Sequence, residues 1–469
     1  MLIRNPELIV GMDDARSRQA GGALLIEDGW ISEILAPGEV PPPDADGIDH
    51  EIDATGLLVT PGLVNTHHHF YQTLTRNLPG GQNRPLFGWL NYHYEIWREL
   101  DEECVEVSSR SAVAELMLSG CTLSSDHHYV FPRAAAPDLI DRQIAAAREL
   151  GLRFMPTRGS MSLGKSAGGL PPDDLVQDEE TILADSRRLI AKYHDASPAA
   201  MTRIALAPCS PFSVTSEAMK RTLALGREAG VRLHTHLAET LDEEAFCLRA
   251  HGKRPLELMD SLGWLGEDLW FAHTVHLSAD DIARMADTGS GMSHCPSSNM
   301  RLGSGIAPIR ELLDAGAPVS LAVDGSASND GNHLLAEARQ ALLLSRLREH
   351  RYWLSAEDAF HIATRGGARV LGRPELGSLA PGQAADLALW DLGTLDLAGA
   401  QSDPLAALLF AASAPRVHTL IVNGVLRVQA GKLLDFDERA QAVRHNAVAA
   451  SVLERAAKRL GANYVLGED

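Results

Sequence analysis

Between residues 60 and 370 short apolar runs alternate with longer stretches rich in Ala, Leu, Arg and Glu. The runs "LLVTPGLVNTH", "CTLSSDHH", "RFMPTRGS", "RIALAPCSP", "RLHTHLAE", "LWFAHTVH", "SGMSHCPSSN" and "VSLAVDG" have the length and composition of buried strands. Between them, "SSRSAVAELMLSG", "PDLIDRQIAAARELG", "SEAMKRTLALGREAG" and "ADDIARMADTG" carry helical periodicity and end at Gly, a helix stop. Eight strand–helix alternations over about 300 residues predict an α/β chain folded as a (β/α)₈ TIM-like barrel. An open doubly wound sheet fits less well, because no G-x-G-x-x-G opens an early helix.

Both ends have another texture. Residues 1–60 read as short strands, with "ALLIEDGWISEIL" roughly alternating before "PPPDADG" breaks the chain. "GSLAPGQAADLALWD" and "VHTLIVNGVLRVQAG" repeat that strand-and-turn chemistry late in the chain. The expectation is a barrel over 61–370 and one small β domain built jointly from 1–60 and 371–469.

Composition narrows the partners. The 469 residues carry 42 Lys+Arg against 62 Asp+Glu, a formal charge of −20. Such a surface repels phosphate backbones and anionic lipid, so neither nucleic acid nor a membrane surface is expected as a partner. The five cysteines form no C-x-x-C pair, which argues against a disulfide framework or a cysteine zinc site. "MLIRNPELIV" lacks a basic region followed by a sustained apolar one, and no run approaches ~18 apolar residues. A cytoplasmic protein is expected.

The candidate chemistry sits where a barrel keeps it, at the C-terminal ends of different strands. The first strand ends in His67-His68-His69, the fifth in "HTHLAE", the sixth in "AHTVH" and the eighth in "AVDG". Alternate residues of a strand share a face, so His67 and His69 point one way and His68 the other. His234 and His236 likewise share a face, and depth favours His236, nearer the strand end, as a ligand. With Asp324 these imidazoles make an N₃O set with an open position, which suits one zinc ion; iron(II) also suits it. Such an ion makes hydroxide available near neutral pH. Glu239, three residues past His236, is the candidate general base. His273 is placed to hydrogen-bond the substrate, and His276 reads as loop structure.

These segments resemble the amidohydrolase superfamily, in its mononuclear aminohydrolase branch. The likeness runs in order through "PGLVNTHHHFYQTLTR", "HTHLAE", "AHTVH", "SHCPSSNMRLGSG", "VSLAVDGSASND" and "GSLAPGQAADLALWD". It implies a barrel with a β-sandwich formed from both termini. His67, His69, His236 and Asp324 would bind one Zn²⁺ per subunit, with Glu239, His273 and Asp324 catalytic. The fourth strand, "RIALAPCSP", lacks the lysine that two-metal relatives use, in keeping with one ion. Within the branch, "HHHFYQTLTR", "CTLSSDHHYVFP" and "APCSPFSVT" are most similar to enzymes acting on 8-oxoguanine and hydroxylated triazines. The implied reaction is 8-oxoguanine plus water to urate plus ammonia. Guanine, a triazine or another amino-heterocycle is the alternative substrate. Cyclic-amide hydrolysis and a non-catalytic metal-binding subunit stand behind these. A flat polar ring needs amide-like partners and aromatic walls. Gln72, Trp89, Trp97, Tyr129 and Cys209 are the candidates. Relatives of this kind are commonly homo-oligomers, which is the expectation here too.

Overall fold

The computed structural model describes residues 1–39 and 48–467. The predicted break at 41–47 lies outside them. An eight-stranded parallel sheet runs in chain order from Leu63–Asn65 through Cys121–His128, Arg153–Ser160, Ala205–Pro208, Arg232–Leu237, Leu269–His273 and Gly291–His294 to Val319–Leu321. The first and eighth strands meet: Thr66 Oγ1 donates to the Leu321 carbonyl at 3.1 Å and the Val323 amide to Asn65 Oδ1 at 2.9 Å. This is the (β/α)₈ barrel expected from the alternation.

The intervening helices follow the sequence logic. In Leu139–Leu150 the buried positions Ile140, Ile144 and Ala147 recur at helical spacing and face the barrel. The helix stops at Gly151, whose φ of +79° is left-handed and costs glycine nothing sterically. Removing a side chain such as that of Ile144 would cost about 2–5 kcal/mol.

The run "LLVTPGLVN" is two strands rather than one. Leu57–Pro61 pairs antiparallel with Leu387–Asp391, whereas Leu63–Asn65 opens the barrel. They part at Gly62, where a Cβ would collide with the Thr122 side chain. The terminal segments form a four-stranded and a seven-stranded sheet, and the larger sets a block of strands from one end of the chain beside a block from the other. Ile3, Leu24, Ile31, Val59, Leu387 and Ile421 close the core between them. Arg153, at the start of the third barrel strand, pins the barrel to this unit. It is fully buried and bonds both oxygens of Asp386 at 2.8 and 3.0 Å, and Asn423 Oδ1 at 2.7 Å.

The C-terminal segment does more than supply strands. Pro404–Phe410 and Glu438–Leu460 are helices, and the long one lies on barrel helix Glu102–Leu118. Only a narrow stripe, including Val448, Val452 and Ala456, is buried. That four-residue spacing was the available signal, diluted by the many exposed alanines. Among the described residues no helix is long and apolar enough to cross a membrane.

Candidate metal centre

The strand ends bring three imidazoles and a carboxylate to one point. His69 Nε2 lies 3.2 Å from His236 Nε2 and 3.3 Å from Asp324 Oδ1, and His67 Nε2 lies 3.4 Å from the same oxygen. The hydrogen bonds on the far side of each ring fix its tautomer. His69 Nδ1 donates to the His127 carbonyl and His236 Nδ1 to the Cys209 carbonyl, each at 2.7 Å. His234 Nδ1 donates to the Trp270 carbonyl at 2.8 Å, so its Nε2 accepts from His67 Nδ1 at 2.8 Å. With neutral rings, as ligation requires, the three Nε2 atoms of His67, His69 and His236 are bare lone pairs. They crowd one another and a carboxylate, and His67 Nε2 is buried with no hydrogen-bond partner among the described residues. Lone pairs facing lone pairs at this distance repel unless a cation stands between them. The donor set therefore fits a small divalent ion, with the outer imidazole nitrogens anchored as metal sites require.

Electrostatics point the same way. Burial drives the His69 imidazole down to about 3 and His236 well below its usual range, so neither holds a second proton near neutrality. Burial alone would raise Asp324, but the adjoining His67, His273 and His69 imidazoles outweigh it and hold it well below the carboxylate range. Its backbone is also unusual. Asp324 has φ +62°, Ala238 +53°, His273 +75° and Thr274 +42°, four non-glycine residues in the left-handed region at the strand ends. Strain of this kind concentrates at functional sites.

Glu239 and His273 stand beside the cluster, with Glu239 Oε2 3.5 Å from His273 Nε2. Asn299 Nδ2 donates to His273 Nδ1 at 3.0 Å, which leaves the proton on Nε2, facing the site. Ser304 Oγ donates to Glu239 Oε1 at 3.2 Å. Burial first, then the charges of Asp324 and Glu243, raise the Glu239 carboxyl well above its usual range. Glu243 clamps the strained turn that presents Glu239. Its two oxygens accept from the Ala238 and Glu239 amides at 2.8 and 2.9 Å.

The same residues open onto a cavity with about 400 Å³ of empty space including its open mouth. Gln72, Trp89, Tyr129 and Cys209 are among the residues that line it. The Gln72 carbonyl oxygen accepts from the Ala327 amide at 3.3 Å, which turns its NH₂ to other partners. Burial pushes the Cys209 thiol up to about 12, so it serves as a neutral group. Trp97 is a correction. It is fully buried behind the wall, donating from Nε1 to Thr75 Oγ1 at 3.1 Å and packing edge-on against Tyr71 and Trp89. Tyr94, close to one turn earlier on helix Leu86–Trp97, takes the lining position instead, with Leu86 and Leu90.

The remaining histidines divide cleanly. His68 accepts the His69 amide at Nδ1 at 2.7 Å and is structural. His234 is buried beneath the site, and His276 bonds the Ser304 carbonyl at 2.9 Å as a loop tie. His127 belongs to the cluster of potential ligands, although its Nε2 donates to the Ala207 carbonyl at 2.9 Å. Sequence reasoning missed His127 as a site residue, together with Asn299, Ser304 and Glu243. For His127 a signal existed, a histidine pair closing the second strand.

A parallel barrel carrying this candidate metal centre beside a buried Glu–His pair has the architecture of a hydrolase. The amidohydrolase family model matches residues 58–427, and the chain belongs to that family. It is 51% identical over 451 residues to the 8-oxoguanine deaminase of Pseudomonas aeruginosa, covering 96% of this chain and 98% of that protein. It is 37% identical to hydroxydechloroatrazine ethylaminohydrolase of Pseudomonas sp. strain ADP, over 92% of this chain and 91% of the relative. Among solved structures, the zinc complex of atrazine chlorohydrolase TrzN from Arthrobacter aurescens TC1 superposes with a TM-score of 0.91 at 33% identity. The alignment covers 96% of this chain and 99% of that one.

Proposed function

We propose that this chain is a zinc-dependent aminohydrolase that converts 8-oxoguanine and water to urate and ammonia. The observation that carries the reading is the convergence of three bare imidazole nitrogens and Asp324 beside Glu239, inside a cavity with a polar wall. Full-length similarity to an 8-oxoguanine deaminase supports the substrate.

His67, His69, His236 and Asp324 would hold the ion, which would supply a water acidic enough to ionise near neutral pH. Glu239 accepts a proton from the attacking water and passes it to the ring nitrogen beside the amino-bearing carbon. His273, held by Asn299, donates from Nε2 to the oxygen that accumulates charge as water adds. Asp324 takes the second proton of the water once its oxygen has added to the ring carbon and hands it to the amine of the tetrahedral intermediate, the carbon–nitrogen bond breaks, and ammonia leaves. Gln72, Tyr129 and Cys209 offer hydrogen bonds to the ring edges, and Trp89 offers an apolar face.

The triazine-acting relatives favour a second reading, in which the ring is a triazine or guanine. Urate absorbance and ammonia release, followed over 8-oxoguanine, guanine, hydroxylated triazines and cyclic amides, separate the two. The proposal expects the highest kcat/KM on 8-oxoguanine. A clearly higher value on guanine or a triazine overturns the substrate, and turnover without ammonia overturns the reaction. Zinc by elemental analysis, in about one equivalent per chain, checks the metal.

A further inference from the structure

The fifth barrel strand, whose C-terminal end carries His236, begins at the opposite end of the barrel with Arg232. There Arg232, Arg365, Arg369 and Arg373 line an open recess together with Asp14 and Glu267. Four guanidiniums against two carboxylates is a local excess of cations in a chain whose formal charge is −20.

Neighbouring arginines at this end have carboxylate partners. Arg153 pairs with Asp386 at 2.8 Å and Arg373 with Glu375 at 2.6 Å. Arg232, Arg365 and Arg369 form no ion pair among the described residues. Arg365 donates to the Pro374 and Leu376 carbonyls at 2.7 and 3.2 Å, and Arg369 reaches only the Gly316 carbonyl at 3.5 Å. The Arg232 side chain makes no hydrogen bond among the described residues, and its Nε is buried without a partner. Arg373 is fully buried, yet its Nη1 has none either. Burial lowers the Arg232 guanidinium to about 10, the mark of a charge short of compensation.

A buried guanidinium N–H without an acceptor is destabilising, and guanidinium forks match oxyanions in geometry. We propose that this recess is a binding site for a small oxyanion of the phosphate class, with Arg232 as its central donor. It is separate from the metal centre and does not depend on which heterocycle the enzyme deaminates.

The test is calorimetric titration of the metal-loaded protein with inorganic phosphate at fixed, low ionic strength, on the parent, Arg232→Gln and Arg369→Gln. Saturable binding by the parent, weakened about tenfold or more by Arg232→Gln, is expected, since one charge-assisted hydrogen bond accounts for a factor of that size. Arg232 has no ion pair to lose and only a long contact with the Trp270 ring, at 6.0 Å, so the variant should fold and form urate at the parent's rate. If it does not fold, Arg369→Gln carries the comparison, with weakened binding again expected. Absence of saturable binding by the parent overturns the proposal. So does unchanged affinity in the variants that fold, which would place the phosphate elsewhere, including at the metal.

Discussion

The two ends of the barrel treat buried charge in opposite ways. At the sandwich-facing end, Arg153 has both oxygens of Asp386 and a further bond to Asn423, so that pair is complete within the chain. At the catalytic end, His67, His69, His236 and Asp324 turn their free electron pairs on one another, and the arrangement is incomplete without a cation. The Arg153–Asp386 pair serves the chain's own stability, whereas the catalytic cluster leaves its polar groups for a ligand. The ends are linked through a single stack. Arg232 lies 6.0 Å from the Trp270 ring centroid, Trp270 stacks on His234 at 4.4 Å, and His234 bonds His67.

Variants at each end should therefore fail differently. His67→Ala should abolish activity with loss of the metal, whereas Glu239→Gln should keep the metal and lose turnover by about 10²–10⁴, read by elemental analysis beside urate formation. Equal activity in Glu239→Gln and the parent would remove that residue from its role. Asp386→Asn breaks the completed pair and leaves Arg153 buried with poorer compensation. A loss of about 3–5 kcal/mol in denaturant unfolding is expected, with metal content per folded chain unchanged. Glu243→Gln sharpens the comparison by touching only the turn that aims Glu239. One amide would then face an NH₂ group, so kcat should fall about tenfold while KM stays near the parent value. A stability loss without that kcat effect would make Glu243 merely structural.

Proton competition gives a gentler test. Burial lowers His69 to about 3, so its lone pair stays free far below the ordinary imidazole range. Metal retention, measured by dialysis across pH, should be flat from pH 8 to about pH 5 rather than falling near 6.5. The smallest effect is expected at the surface, where Arg284 and Asp260 pair at 2.9 Å but are 40% and 50% exposed. Arg284→Ala should change stability by less than about 1 kcal/mol and leave activity alone.

The barrel was legible because its signals are local. Strand-length apolar runs, helical spacing in "PDLIDRQIAAARELG" and glycine stops each act within one element. The closeness of two candidate ligand histidines was legible for the same reason, since a two-residue repeat at a strand end puts His67 and His69 on one face. The helix at 438–460 was not, because an exposed, alanine-rich helix with a thin buried stripe resembles unstructured solvent-facing chain until its partner helix is known.

What the sequence by itself determined is the set of elements and which side chains stand at their ends, because periodicity and residue chemistry are properties of neighbouring positions. Only the tertiary structure decided which of those side chains meet. Trp97 turned behind the wall and Tyr94 into it, Asn299 and Ser304 came to hold His273 and Glu239 from far along the chain, and His234 became the anchor of His67. Those choices depend on barrel closure and on the depth of each residue along its strand. Both are set by packing between distant segments, and nothing in the local order of residues encodes them.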